Sequence, residues 1–230
     1  MRVTVQKHAA AVRAMFAAIT PRYDLVNTLL SLGLDRLWRR RVVTLSGLRP
    51  SGDAVDLCTG TGELARLLAE RAGARGTVTG LDFCEDMLAR ARQKYPQIRF
   101  VQGDALEVPL PDACSDATTM ACGLRNLEST RRGFQEMKRI TRAGGRVLVL
   151  ELTRPDGLLR IPYYLYLFGV LPLVGGLVSG DFRAYRYLAK SIAEFLPVPD
   201  LLDQMREVGF KQVEAEPLCG GIATILKGVS

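Results

Sequence analysis

The chain holds one histidine, His8, and five cysteines with no CxxC pair among them. A single imidazole argues against a histidine-bound metal centre and against a Ser-His-Asp triad. Cys58, Cys84, Cys114, Cys122 and Cys219 are odd in number, and several fall inside apolar strands. They read as reduced core residues of a cytosolic protein rather than as a disulfide framework. The opening MRVTVQKHAA lacks the apolar stretch of a signal peptide. Internal repeats, low-complexity tracts and linkers are absent. So is any interleaving of aromatic and basic residues or any RNA-module pattern, which leaves nucleic acid without support.

What is present is apolar mass and positive charge. The 230 residues are 48% hydrophobic, enough for one large domain over 1–230. Within it the sequence suggests a helical cap (1–50), a nucleotide-binding core (51–153), an apolar helical lid (154–198) and a C-terminal helix with a hairpin (199–230). Net charge is +7, with arginines grouped at Arg36, Arg39, Arg40 and Arg41 and at Arg131 and Arg132. That balance favours an anionic partner such as an acidic membrane face; a solvated helix face is the plainer alternative. Residues 161–180 carry no charge, and about 20 apolar residues suffice to cross a bilayer. Pro162, Pro172 and the pair Gly175-Gly176 are expected to interrupt a helix here, which favours a lid or an interfacial segment over a span. A core position or a homodimer contact is the competing reading.

Two amphipathic patterns, 7–19 and roughly 24–45, precede a regular alternation. Strands are expected at 54–58, 77–83, 98–104, 116–122 and 146–152, with helices between them at 63–73, 84–95 and 129–140. Alternation of this kind predicts an α/β fold with a mostly parallel sheet covered on both faces. Helices near 184–196 and 199–208 follow, then two strands joined at Cys219-Gly220-Gly221. That reversal makes the last strand antiparallel.

In DLCTGTGELA, Gly60, Gly62 and Ala65 satisfy a G-x-G-x-x-A pattern between strand and helix, and Asp82 follows Gly62 by 20 residues. A pyrophosphate needs an uncluttered helix N-terminus, yet Asp56 precedes this turn and Glu63 begins the helix. Two carboxylates suit a cationic ligand instead. S-adenosylmethionine has no phosphate and carries a sulfonium and an ammonium. Asp82 can accept both ribose hydroxyls, and Asp104, ending the next strand, can meet the adenine edge.

The blocks MFAAITPRYDLVNTLLSLGLDRLWRR, GLDFCEDMLARAR, CGLRNLE, RAGGRVLVLELTRP, AYRYLAKSIAEFLP and CGGIATILKG run almost end to end. Together they resemble the ubiquinone/menaquinone biosynthesis C-methyltransferases, a class I S-adenosylmethionine-dependent family with a Rossmann-like seven-stranded sheet. The resemblance implies methylation of a ring carbon of demethylmenaquinol, or of the ubiquinone precursor 2-methoxy-6-polyprenyl-1,4-benzoquinol. It places Thr61, Asp82 and the pair Asp104-Ala105 at the cofactor, where Phe83 and Ala121 are expected as well. Relatives carry a Ser or Thr near Ala121, which here offers no hydroxyl. Methylating a ring carbon requires a phenolate, so a fixed Arg125 beside the amide of Asn126 suits the acceptor. A structural pairing of Arg125 with Asp24 or Glu151 is the alternative. Tyr23, Asp24 and Asn27 are expected on the opposite wall, with Tyr23 or a water relaying the proton. A prenylated quinol resides in the bilayer, so the 161–180 segment could receive its tail while the Arg36–Arg41 group meets anionic head groups. The rival readings are a methyltransferase for a soluble phenol or sterol, and an RNA-binding or scaffold protein that has kept the fold.

Overall fold

The computed structural model describes residues 12–230, so His8 and the start of the first amphipathic pattern lie outside them. Helix α1 covers 12–19. It leads through the turn Thr20–Arg22 into α2 (Tyr23–Leu30) and α3 (Leu34–Leu45). Alternation then follows the expected rhythm: β1 (Ala54–Leu57), α4 (Glu63–Ala72), β2 (Val78–Asp82), α5 (Glu85–Lys94), β3 (Arg99–Gln102), β4 (Ser115–Ala121), α6 (Thr130–Ile140) and β5 (Thr141–Leu152). The chain closes with α7 (Arg160–Leu165), α8 (Leu171–Ser179), α9 (Phe182–Glu194), α10 (Val198–Val208), β6 (Lys211–Leu218) and β7 (Ala223–Val229). Ser129 caps α6 by accepting the Arg132 N–H, as its position suggests.

The strands form one seven-stranded sheet in the order β3-β2-β1-β4-β5-β7-β6. β1 to β5 pair in parallel, and β7 runs antiparallel to both β5 and β6. Because side chains alternate across a sheet, neighbouring residues feed two different cores. Ala54, Leu148, Leu150 and Ile225 meet Trp38, Val42, Leu64, Leu68 and Leu88 on one face. Val55, Leu57, Val147, Val149 and Leu226 meet Phe134, Met137, Ile140 and Met205 on the other. Each fully buried side chain of this size contributes about 1.5–3 kcal/mol. A third cluster joins cap to lid: Ile19 and Val26 pack on Tyr163, Leu167, Leu171, Tyr185 and Ile192.

The lid corrects one expectation. Residues Gly157–Ser179 form a continuous 23-residue helix despite the prolines and glycines, long and apolar enough by length and composition alone to cross a membrane. Pro162 sits in its first turns, and Pro172 enters just after a π-helical turn at Tyr166–Val170. A π-turn changes the hydrogen-bond partners of the following residues, which accommodates a proline that lacks an N–H. Gly175 and Gly176 allow close packing rather than breaking the helix. A Cβ at these positions would stand 2.4 Å from Tyr185 and 2.2 Å from Phe182 of α9.

Candidate active site

Strand order reverses direction between β1 and β4, and in open α/β sheets ligands bind outside the carboxyl ends at such a point. A cleft opens at this edge. Of the residues expected from sequence, Tyr23, Gly60, Asp82, Phe83, Asp104, Ala105, Ala121 and Asn126 line it. Val12, Phe16, Met87 and Leu106, which sequence reasoning missed, supply apolar walls. Cys58 and Cys122 also line it; Cys58 packs against the core as expected, whereas Cys122 belongs to the cleft wall. Both adopt left-handed backbone, at φ 52° and 56°. Burial raises both thiol pKa values, so they stay protonated at neutral pH.

The glycine turn is held by β2. Asp82 accepts the Gly60 N–H on Oδ2 at 2.8 Å and the Cys84 N–H on Oδ1 at 2.9 Å. Each oxygen keeps a second lone pair. Burial raises the Asp82 pKa, and the backbone donors work against that rise. Gly62 sits at φ 83°, and a Cβ there would stand 2.9 Å from the Phe100 ring. Asp104 accepts the Leu106 N–H at 2.8 Å on Oδ1. Asp56 lies beneath the floor, 1% exposed, its two oxygens accepting the Thr59 and Thr119 hydroxyls at 2.7 Å each. Burial pushes it up to about 6 although both hydroxyls favour the carboxylate.

Thr61 and Asp24 face each other instead of the cleft. The Thr61 hydroxyl donates to Asp24 Oδ1 at 2.5 Å. Lys94 bonds Asp24 at 2.9 Å and also Glu63, and the Tyr95 hydroxyl donates to Glu63 at 2.8 Å. This network clasps α2 onto the glycine turn. It also turns Glu63 toward Lys94, so Glu63 does not supply the repulsion of a diphosphate argued from sequence. Asp82, Asp104 and Glu128 do, and among the described residues no Lys or Arg lines the cleft.

The carboxyl end of β4 breaks into a turn at Leu124–Asn126. Arg125 turns inward to an ion pair with Glu151 of β5, with side chains only 6% and 1% exposed. Glu151 also accepts the Arg125 N–H at 3.2 Å and the Leu152 N–H at 2.9 Å. Burial works against the Arg125 cation, but the Glu151 carboxylate more than offsets it and holds the guanidinium pKa above its usual range. Arg125 Nε is buried without a hydrogen-bond partner among the described residues. Asn126 Oδ1 accepts the Tyr187 hydroxyl of α9 at 3.0 Å, tying the lid to the β4 turn. The block YRYLAKSI singled out this helix without showing which tyrosine faces inward. Tyr23 is pushed up to about 12, chiefly by burial, and Arg125 and a hydrogen bond with Asn27 oppose that rise. It therefore remains a phenol at neutral pH.

The donor set suits S-adenosylmethionine: apolar side chains for an adenine, carboxylates for ribose hydroxyls and positive charge, and no cation to hold phosphate. A nucleotide site that repels phosphate, in a doubly wound sheet whose last strand runs against its neighbours, is the construction of class I S-adenosylmethionine-dependent methyltransferases, and this enzyme is one. Solved structures agree on the fold. A SAM-dependent methyltransferase from Thermotoga maritima superposes with a TM-score of 0.67 at 21% identity, covering 95% of this chain and 99% of that one. A putative methyltransferase from Methanococcus maripaludis gives 0.65 at 17%, covering 92% and 91%.

The chain belongs to the ubiE/COQ5 methyltransferase family, whose model matches residues 3–230. It is 44% identical to a demethylmenaquinone methyltransferase from Thermus thermophilus over 93% of this chain and 99% of that protein. A second protein of that name, from Deinococcus radiodurans, is 45% identical over 90% and 87%. A ubiquinone/menaquinone biosynthesis C-methyltransferase from a Geobacter species is 40% identical over 94% and 95%.

Proposed function

We propose that this enzyme methylates a ring carbon of demethylmenaquinol, using S-adenosylmethionine as methyl donor, at the cytoplasmic face of the membrane that holds the prenylated quinol. Relatives named for demethylmenaquinone support the naphthoquinol over the benzoquinol. S-adenosylmethionine supplies an electrophilic methyl group. Asp82 takes the ribose hydroxyls, Asp104 and Ala105 meet the adenine edge, and Gly60, Phe83 and Ala121 form the floor. Asp56, Thr61 and Gly62 hold the glycine turn in shape from beneath and behind.

A ring carbon attacks well only when a hydroxyl beside it has lost its proton, here to a water, and the ring hydrogen that the methyl replaces leaves to solvent as the aromatic ring is restored. Arg125 cannot be the base, because its guanidinium stays charged. Its part is to stabilise the developing phenolate. Glu151 neutralises much of its charge, and Arg125 itself does not line the cleft, so its Nε–H meets the acceptor through a shift of the Leu124–Asn126 turn; this buried donor without a partner carries the proposal. An unmet buried donor costs about 1–3 kcal/mol, and a phenolate oxygen is an acceptor that relieves that cost. Asn126, fixed by Tyr187, holds the second ring oxygen. Tyr23, kept protonated, donates a hydrogen bond, with Asn27 orienting it. Asp24 acts indirectly, by closing α2 over the site through Thr61.

An acceptor panel with labelled cofactor tests the reading. Demethylmenaquinol is expected to take label and simple phenols and sterols are not. Arg125→Ala is expected to bind cofactor normally while losing about 10²–10³ in turnover, the usual loss when one anion-stabilising donor is removed. Label on a phenol or sterol but not on the quinol would reject the substrate. Full turnover by Arg125→Ala would reject the role of the arginine.

A further inference from the structure

The cap and lid carry an apolar face that the interior does not use. Leu158 is 96% exposed and Leu32 87%, and Leu29, Ile161, Leu165 and Leu173 are exposed as well. Ile161, Leu165 and Leu173 fall at spacings of four and eight, and the π-turn at Tyr166–Val170 offsets the drift such spacing has in an α-helix, keeping them to one side. The opposite side, with Tyr163 and Leu167, packs on Ile19 and Val26. Cap and lid are tied together: Tyr166 donates to the Leu30 carbonyl at 2.6 Å, and Arg22 to the Val178 carbonyl at 2.7 Å. Exposed arginines lie on the same elements of cap and lid. Arg36 and Arg40 lie on α3, Arg160 begins α7, and Arg183 and Arg186 lie on α9. None has an ion pair among the described residues. Residues 161–180 carry no charge at all.

We infer that this face rests on an anionic lipid surface, with α7 and α8 lying in the head-group plane and the arginines at the lipid phosphates. Apolar side chains along one side of a helix with flanking cations are the composition that binds such an interface. A second copy fits less well, because a twofold contact through this face would set one arginine group against its twin. The inference rests on the quinol reading only for its purpose: the buried side of the same helices packs against the cap that carries Tyr23, so a lipid-borne acceptor would arrive beside the site.

Flotation with phosphatidylcholine vesicles, with and without phosphatidylglycerol, tests it on the full chain. The wild type is expected to float with the anionic vesicles and to release as salt rises. Leu165→Asp and Leu173→Asp should each weaken partitioning on the order of tenfold, and Arg160→Gln or Arg183→Gln about fivefold. Turnover of a short-chain quinol in solution should stay at the wild-type level in all four. A wild type that fails to float, or Asp variants that float as it does, overturns the inference. So does an Asp variant that turns a dimer into a monomer without losing vesicle binding. Binding without quinol methylation would leave the inference standing and remove the substrate reading.

Discussion

Replacing Glu151 by Gln isolates the energetics on which the acceptor site depends. The carboxylate is 1% exposed and its partner guanidinium 6%. Removing one member of a buried pair leaves the other charge uncompensated, at a cost of about 3–5 kcal/mol. The amide keeps an acceptor oxygen for the Leu152 N–H, so little of that cost comes from the backbone. In a chain of this length each kcal/mol shifts Tm by about 2–4 °C, which gives a fall of roughly 6–20 °C. Pairing the change with Arg125→Leu removes both charges, and the double variant should recover much of the loss, with a coupling of about 2 kcal/mol or more. Thermal or urea unfolding of the four proteins measures this, and cofactor titration checks that the nucleotide half is intact. A Glu151→Gln variant within about 1 kcal/mol of wild type, or additive effects in the cycle, would refute the reasoning.

Asp82→Asn should weaken cofactor binding by about 10–100-fold, since a carboxylate bond to two hydroxyls becomes a neutral one, and calorimetric titration would show it. Asp56 contributes a pH dependence of definite sign. Its folded pKa, about 6, lies above its ordinary value of 3.8, so the native state holds the proton more tightly and stability is lost as pH rises through that window. The loss is at most about 3 kcal/mol, and Asp56→Asn should flatten the curve of unfolding free energy against pH; an unchanged curve would place the shift elsewhere. Gly175→Val would force a side chain into the Tyr185 ring and should lower stability by about 1–3 kcal/mol, seen as a lower urea midpoint.

The sheet was legible because its signal is local. Each strand is a short apolar run closed by a turn, so β1 to β4 begin and end within two residues of expectation. β5 starts earlier than RVLVLEL because Ser115 pairs with Thr141 before a register shift. Asp82, Asp104 and Asn126 were legible for a related reason: Asp82 ends β2, Asp104 lies just past β3 and Asn126 in the turn after β4, and the fold brings the carboxyl ends of parallel strands to one edge. Partners were not legible. Nothing local says that Thr61 bonds Asp24, that Glu63 turns to Lys94, or that Arg125 takes Glu151 rather than Asp24. Those choices follow from how α2, α5 and β5 pack. The continuous lid helix was misjudged from Pro162, Pro172 and Gly175-Gly176, because proline and glycine rules describe an isolated helix. Here a π-turn and the rings of Tyr185 and Phe182 change what those residues do.

The most direct measurement is to locate the transferred methyl group. The enzyme is incubated with methyl-labelled S-adenosylmethionine and reduced demethylmenaquinone, and the product is examined by NMR and mass spectrometry. A label bonded to the ring carbon, in a product that reoxidises to the methylated quinone, is the predicted result. A label on a ring oxygen, or cofactor bound without any transfer to the quinol, would contradict the account.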